Sequence, residues 1–274
     1  MRIITLAENT AISEKFGHEH GLSLYIETKQ HKVLFDMGAS SLFSKNAKLL
    51  DVDLSAVDVA IVSHGHYDHG GGLEAFLQLN SQAKVYLNQN AFAKYYANKP
   101  SGEKTFIGLD EKLSANDRVI FVENHVRIDS ELELFSGVKQ RGLAPAGNKD
   151  LLMLRGETLA LDDFTHEQNL IITEGAHTLL LAGCAHNGIV NIIDHMLANG
   201  YGQPTHVIGG FHLYSRPTNQ CEDPETIRQL GEYLMQTGAT YYTCHCTGLE
   251  PYKQLRTVMG ESIEYLAAGR QLIL

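Results

Sequence analysis

The sequence predicts a layered α/β protein. Three observations carry that expectation. Short apolar strand-like runs alternate with helical stretches along the 274 residues. A hydrophobic content of 43% against 20% charged residues is ordinary for a globular chain and enough to fill a core without disulfide or metal staples. No internal repeat, low-complexity tract or linker divides the chain, so residues 1–274 read as one domain.

In order, Arg2–Leu6 is a short apolar strand. Leu22–Glu27 alternates, with Leu22, Leu24 and Ile26 on one face, and Lys32–Phe35 is a strand running into Asp36-Met37-Gly38. Ser40–Leu50 has helical spacing, with Ser40 as its N-cap. Val57–Val62 is an apolar strand, Leu73–Leu79 a helix, Lys84–Leu87 a strand and Ala91–Ala97 a helix. From about 99 to 163 the pattern weakens. Strands are expected at Val119–Val122 and Glu131–Phe135 and a loop at Gly142–Lys149, the whole forming an elaboration that partly covers the site. Regularity then returns. Asn169–Thr173 and Thr178–Ala182 form a hairpin, and Gly188–Ala198, Pro224–Thr237 and Glu250–Met259 are helices. His206–Gly209, Thr240–Thr243 and Gln271–Leu274 are strands.

The balance of charge narrows the partners. With 22 Lys and Arg against 32 Asp and Glu the net charge is −10, which repels phosphate backbones and anionic lipid at long range. Nucleic acid and membrane are therefore not expected as partners. A small anionic substrate held in a local basic pocket is allowed, and so is a homo-oligomer. Four cysteines, two of them flanking His245, suit a reduced compartment better than a disulfide framework. With no signal peptide expected and no apolar run near the ~20 residues of a membrane span, the expected location is the cytoplasm.

Fourteen histidines with no tryptophan direct attention to metal chemistry, and their placement decides the matter. Directly after the strand Val57–Val62 comes Ser63-His64-Gly65-His66-Tyr67-Asp68-His69-Gly70. His64 and His66 alternate and can face one point, while Asp68 and His69 turn with the loop toward a second. Imidazole and carboxylate donors suit zinc, iron or manganese. Two such ions roughly 3.5–4 Å apart polarise a substrate oxygen and activate a water. A polar surface loop that happens to be rich in histidine is the bland alternative, and four ligand-type residues in six positions argue against it.

His64-x-His66-x-Asp68-His69 resembles the signature of the metallo-β-lactamase superfamily. The resemblance implies an αββα sandwich, two facing mixed β-sheets with helices outside and metals at one edge. Leu34-Phe35-Asp36-Met37-Gly38 resembles the superfamily motif whose aspartate supports the metal loop from behind. Four further stretches resemble one subgroup: His20-Gly21-Leu22-Ser23, Gly183-Cys184-Ala185-His186-Asn187-Gly188-Ile189, Gly209-Gly210-Phe211-His212-Leu213 and His245-Cys246-Thr247-Gly248. That subgroup includes the archaeal dihydropterin–ribofuranosylaminobenzene phosphate synthase of methanopterin biosynthesis and bacterial relatives of unclear function.

Carried over residue by residue, the resemblance assigns one metal to His64, His66 and His186 and the other to Asp68, His69 and His245. Most superfamily members end the strand corresponding to Thr178–Ala182 with a metal-bridging aspartate. Here Cys184 stands at that place and reads as a buried or supporting thiol, while the third and bridging ligand places stay open among His186, His166 and Cys184. His166 competes with His186 for the third histidine. His212 reads as a substrate-binding or acid/base residue, or as a ligand, and His20 as a substrate-positioning residue or a surface turn. Cys244 and Cys246 alternate away from His245 and are expected on the opposite side. His31, His125, His177, His195 and His206 read as exposed or strand-end residues.

The resemblance implies a metal-dependent hydrolase, binuclear and zinc-loaded with manganese or iron as alternatives. Its substrate is a small phosphate ester or cyclic ester, as for a phosphodiesterase, with Asp68 and His212 catalytic. A synthase-type transferase is the alternative, with Lys149, Arg155 and Arg216 as candidate phosphate-binding residues. A non-hydrolytic iron-binding redox or sensor protein is a further one, lowered by the lack of an electron-transfer domain. β-Lactam hydrolysis and RNA processing are disfavoured, the first because fold alone does not carry function and the second by charge.

Overall fold

The computed structural model describes all residues 1–274. Two mixed seven-stranded sheets form its centre. The first runs, in spatial order, Gln271–Ile273, Arg2–Ala7, Ser23–Glu27, Lys32–Phe35, Val59–Ile61, Lys84–Asn88 and Val119–Val122. The second runs Ile263–Tyr265, Thr240–Thr243, His206–Gly209, His177–Leu181, Gln168–Glu174, Leu132–Ser136 and His125–Arg127.

Period-2 alternation explains why both faces of these sheets are buried. Val33 and Phe35 face the second sheet, whereas Leu34 between them faces the helices. Between the sheets lie Ile3, Leu24, Ile26, Phe35 and Ile61 against Leu134, Leu170, Ile172, Leu179 and Leu181. Outside the first sheet, helices Leu42–Leu49 and Leu73–Leu79 bury Phe43, Ala47, Leu73 and Phe76. Outside the second, Ile189–Ala198, Pro224–Gln236 and Leu249–Met259 bury Ile192, Ile193, Ile227, Leu230, Leu234 and Leu255. The result is the expected αββα sandwich. No helix is long and apolar enough to cross a membrane.

Local expectations need three corrections. Ala91–Ala97 is not a helix: Tyr95–Asn98 is a strand that pairs with Leu151–Arg155, Tyr95 opposite Met153. Two adjacent tyrosines favour a strand, and a turn held by Asn90 N–H donating to Asn88 Oδ1 at 2.9 Å stops any helix upstream. The first helix begins after Ser41 rather than Ser40, whose hydroxyl accepts from Leu42 N–H and donates to Glu19. Within 99–163, Val119–Val122, His125–Arg127 and Leu132–Ser136 complete the two main sheets. Lys104–Phe106, Leu151–Arg155 and Thr158–Leu161 join Tyr95–Asn98 in a separate four-stranded sheet.

His31 is neither a bland nor an idle residue. Its Nδ1 lies 2.7 Å from Asp58, before a strand of the first sheet, and its Nε2 lies 2.6 Å from Asp129, in a turn of the second. Burial disfavours the charged ring, and the two carboxylates outweigh burial and raise its pKa. A raised folded-state pKa stabilises fully below the unfolded value of about 6.5 and fades as pH rises through the higher folded value. The denaturation midpoint of wild type relative to His31→Asn should therefore be further apart at pH 6 than at pH 9. An unchanging difference would remove the charged bridge.

Candidate metal centre

The site is built on strand ends at one edge of the sandwich. Val59–Ile61 delivers the loop His64–His69, His177–Leu181 delivers Cys184 and His186, His206–Gly209 delivers His212, and Thr240–Thr243 delivers His245. Backbone strain concentrates here. Asp36, Phe164, Ala185, His212 and His245 all have φ between 50° and 59°, a region costly for side-chain-bearing residues and characteristic of functional sites. Close approach also needs small residues: a Cβ on Gly183 would stand 2.1 Å from Ser63 Oγ, and one on Gly65 would stand 2.3 Å from Ala91 O.

Two groups of donors converge. His64, His66 and His186 bring ring nitrogens within 4.8 Å of one another, and all three Nε2 atoms are buried without a hydrogen-bond partner. Each such orphan costs about 1–3 kcal/mol, which a fold does not carry three times in one spot without a ligand to repay it. A divalent ion satisfies all three together. In the second group, Asp68 Oδ2 lies 3.2 Å from both His20 Nε2 and His245 Nε2 and 4.0 Å from His69 Nε2. His69 Nε2 is also 3.2 Å from His245 Nε2 and 3.1 Å from Cys184 Sγ.

The opposite edges of His64, His69, His186 and His245 are held, as metal histidines require. Asp36 is fully buried and accepts from Ser63 N–H at 2.7 Å, Ser63 Oγ at 2.8 Å and His69 Nδ1 at 2.6 Å. His64 Nδ1 meets Ser63 Oγ at 2.9 Å, His186 Nδ1 meets Asn148 Oδ1 at 3.1 Å and His245 Nδ1 meets Asn9 Oδ1 at 2.8 Å. Buried carboxylates fix the turns: Glu8 accepts from His245 N–H at 2.7 Å, and Glu167 from His186 N–H at 2.6 Å. His186 stacks on Phe164 with ring centres 4.5 Å apart.

Electrostatics follow the donor types. Burial, then the charge of His69, His66 and His186, holds His64 well below the ordinary imidazole pKa. His186 is lowered likewise by burial and by His212 and His66, and His66 and His245 are lowered by burial against the pull of Asp162 and Asp68 respectively. All four are thus neutral near pH 7, the form that binds metal. At His69 burial is outweighed by Asp36 and Asp68, which push it up to about 9. Asp68 stays well below the usual carboxylate range, because His69, His20 and His245 outweigh burial. Both carboxylates call for positive charge at this point.

Several residues stand differently from their sequence readings. His166 has no free nitrogen: Nδ1 accepts from Gly65 N–H at 2.9 Å and Nε2 meets Asp162 at 3.1 Å, so it braces the loop, whereas His186 has its Nε2 left over. His20 is in the second donor group rather than a surface turn. His212 lies with its ring 4.3 Å from His186 and its Nδ1 buried and unpartnered. Cys246 does not face away from the site. A tight turn over His245–Thr247 breaks the strand alternation, so Cys246 lines the cavity while Cys244 enters the inter-sheet core. Arg155 pairs with Asp163 instead of facing the site, and Lys149 lies outside its cavity, whereas Arg216 lines it. Glu8, Asn9, Asn148, Asp162 and Glu167 escaped the sequence reading, because buried polar residues that brace backbone carry no local spacing signal.

Above the donors opens a cavity of about 610 Å³. Its floor is His66, Asp68, Cys184, His186 and His245. The four-stranded sheet and the residues flanking its strands line it with Ala97, Lys99, Phe106, Ile107 and Leu151, and Tyr67 and Arg216 line it as well.

Comparison with known proteins agrees with this architecture. The sequence model of the metallo-β-lactamase superfamily matches residues 17–148, which include the histidine loop. Over 98% of its length the chain is 28% identical to a Methanocaldococcus jannaschii protein named 7,8-dihydropterin-6-methyl-4-(β-D-ribofuranosyl)-aminobenzene-5'-phosphate synthase, covering 95% of that protein. It is 26% identical to an uncharacterised protein of the same archaeon, over 91% of this chain and 92% of the relative. A solved structure described as a metal-dependent hydrolase of the β-lactamase superfamily, Tm1679, superposes with a TM-score of 0.84 at 29% identity, over 100% of this chain and 99% of that one. The histidine loop lies within the matched residues 17–148, and the sandwich that carries it is the metallo-β-lactamase fold.

Proposed function

We propose that the protein is a binuclear metal-dependent hydrolase of small phosphate esters or cyclic esters, with zinc as the working metal. The carrying observation is the trio of buried, unpartnered Nε2 atoms of His64, His66 and His186 beside the Asp68–His20–His245 group. Ions held by these residues supply Lewis acidity and lower the pKa of a water.

The chain's own groups do the rest. Arg216 and Lys99 bind the anionic group of the substrate, local positive charge in a chain of net charge −10. Asp68 Oδ2 orients the attacking water and takes its proton. His212 Nδ1 delivers a proton to the leaving oxygen. Phe106, Ile107 and Leu151 hold the organic part and exclude bulk water.

A second reading, a synthase-type transfer that releases diphosphate, draws support from the full-length similarity to the M. jannaschii protein and from a cavity able to take an aromatic body. The test is metal analysis of untagged protein together with two assays. One follows hydrolysis of a generic phosphodiester, and the other follows diphosphate release from a dihydropterin diphosphate with and without an aryl ribosyl phosphate. Zinc with phosphodiester turnover supports the hydrolase. Diphosphate release that needs the second substrate moves the assignment to the transferase, and iron with visible absorbance moves it to redox chemistry.

Arg216→Ala should raise KM for an anionic substrate about tenfold, or about 1.4 kcal/mol, with kcat changed less. A fall in kcat at constant KM would remove Arg216 from ground-state binding.

A further inference from the structure

We propose that Cys184 is itself a metal ligand, its thiolate bridging the two ion positions where the superfamily resemblance leads one to expect a carboxylate. The inference rests on the metal-dependent reading of the site and deepens it.

Position carries the argument. Cys184 is buried, and its Sγ shares a 4.8 Å neighbourhood with donors of His64 and His69, with donors of His186 and His212, and with a donor of His245. It therefore stands between the histidine trio and the Asp68–His245 side of the site. The residue before it, Gly183, has no room for a Cβ against Ser63 and His64, so the strand end is pressed onto the histidine loop and Cys184 is carried in with it. Ala185 then turns through φ 50°, which brings His186 back to the same centre.

Bond lengths allow the role. Zinc–thiolate bonds are about 2.3 Å and zinc–imidazole bonds about 2.0–2.1 Å, so two donors on one ion stand roughly 3–4 Å apart. The 3.1 Å from His69 Nε2 to Cys184 Sγ falls in that range. One sulfur with two bonds of that length spans ions up to about 4.6 Å apart, which includes the roughly 3.5–4 Å of two-metal sites. The neighbouring Cys246 is tied down by backbone: its Sγ accepts from His212 N–H at 3.2 Å and donates to Cys184 O at 3.6 Å. Cys184 Sγ is the sulfur that meets the histidine loop, at His69 Nε2. On binding, its S–H proton leaves to solvent and the sulfur lone pairs form the new bonds. A soft bridge of this kind selects zinc, cobalt or iron(II) over manganese and magnesium.

The test compares wild type, Cys184→Ser, Cys184→Asp and Cys246→Ser, each stripped with chelator, checked for fold by circular dichroism, and loaded with cobalt(II) or zinc. Wild type and Cys246→Ser should bind about two equivalents, with a thiolate-to-cobalt charge-transfer band and a zinc–sulfur shell near 2.3 Å in X-ray absorption. Cys184→Ser should lose both signatures and at least one equivalent. Cys184→Asp should keep two equivalents without the sulfur signatures and narrow the preference for zinc over manganese at least tenfold. Two bound ions with no sulfur shell in wild type, or signatures that survive in Cys184→Ser and vanish in Cys246→Ser, would overturn the bridge and leave the metal site intact. Failure of wild type to bind any ion would overturn the proposed function as well.

Discussion

Replacing His64 and His66 together with alanine will cost the protein at least one metal equivalent and lower kcat/KM by on the order of a thousandfold, about 4 kcal/mol of transition-state stabilisation. These are two of the three buried imidazoles whose Nε2 atoms have no protein partner, so their removal dismantles one ion position and leaves Asp68, His20 and His245 in place. Thermal denaturation separates this from misfolding. A bound ion stabilises wild type by mass action, so chelator should lower its Tm. The double variant should melt near the chelated wild type and respond far less to chelator. A variant that retained both ions and full chelator sensitivity would mean that the donors lie elsewhere.

The second large effect is expected at Asp36. Its carboxylate joins the backbone and hydroxyl of Ser63 to His69 Nδ1 with all three partners buried. Asp36→Ala leaves an unpaired N–H and an unbraced, charge-favouring ring, a defect that costs about 3–5 kcal/mol out of the roughly 5–15 kcal/mol of a typical domain. Metal affinity should fall a further 10- to 100-fold, about the usual loss when the partner behind a metal histidine is removed. Urea denaturation with chelator present isolates the first effect, and zinc titration of the folded protein isolates the second. Asp36→Asn keeps an acceptor and the volume, so it should lose metal affinity more than stability. Equal affinity in wild type and Asp36→Asn would reduce Asp36 to a structural residue.

How much of this was legible in sequence depends on range. The histidine loop was readable because its donors lie within six positions after an apolar strand, where spacing alone sets direction. His186 and His245 were reachable only through resemblance, since separation along the chain says nothing of convergence. Choosing between His166 and His186 needed coordinates, because the question was which ring had a nitrogen left over. Cys246 was misplaced because strand alternation was extended into a turn where His245 has φ 50°. Likewise Ala91–Ala97 has helix-forming alanines, and the pairing of Tyr95 with Met153 overrode them, as tertiary context overrides propensity. The strand Lys32–Phe35 was readable as a continuous apolar run, and the structure buries Val33 and Phe35 between the sheets and Leu34 against the helices.

The small sheet of Tyr95–Asn98, Lys104–Phe106, Leu151–Arg155 and Thr158–Leu161 walls the cavity without supplying any of the converging donors. The donors and most of the apolar lining are thereby written in different stretches of the chain, with Arg216 near His212 as the exception. On the proposed reading, insertions or exchanges at Lys99–Ser101, or at Phe106 and Ile107, should retune which molecules are admitted while the donor floor stays intact. A mutational library confined to those positions, screened on a panel of phosphate esters, is the shortest route to new selectivity on this scaffold.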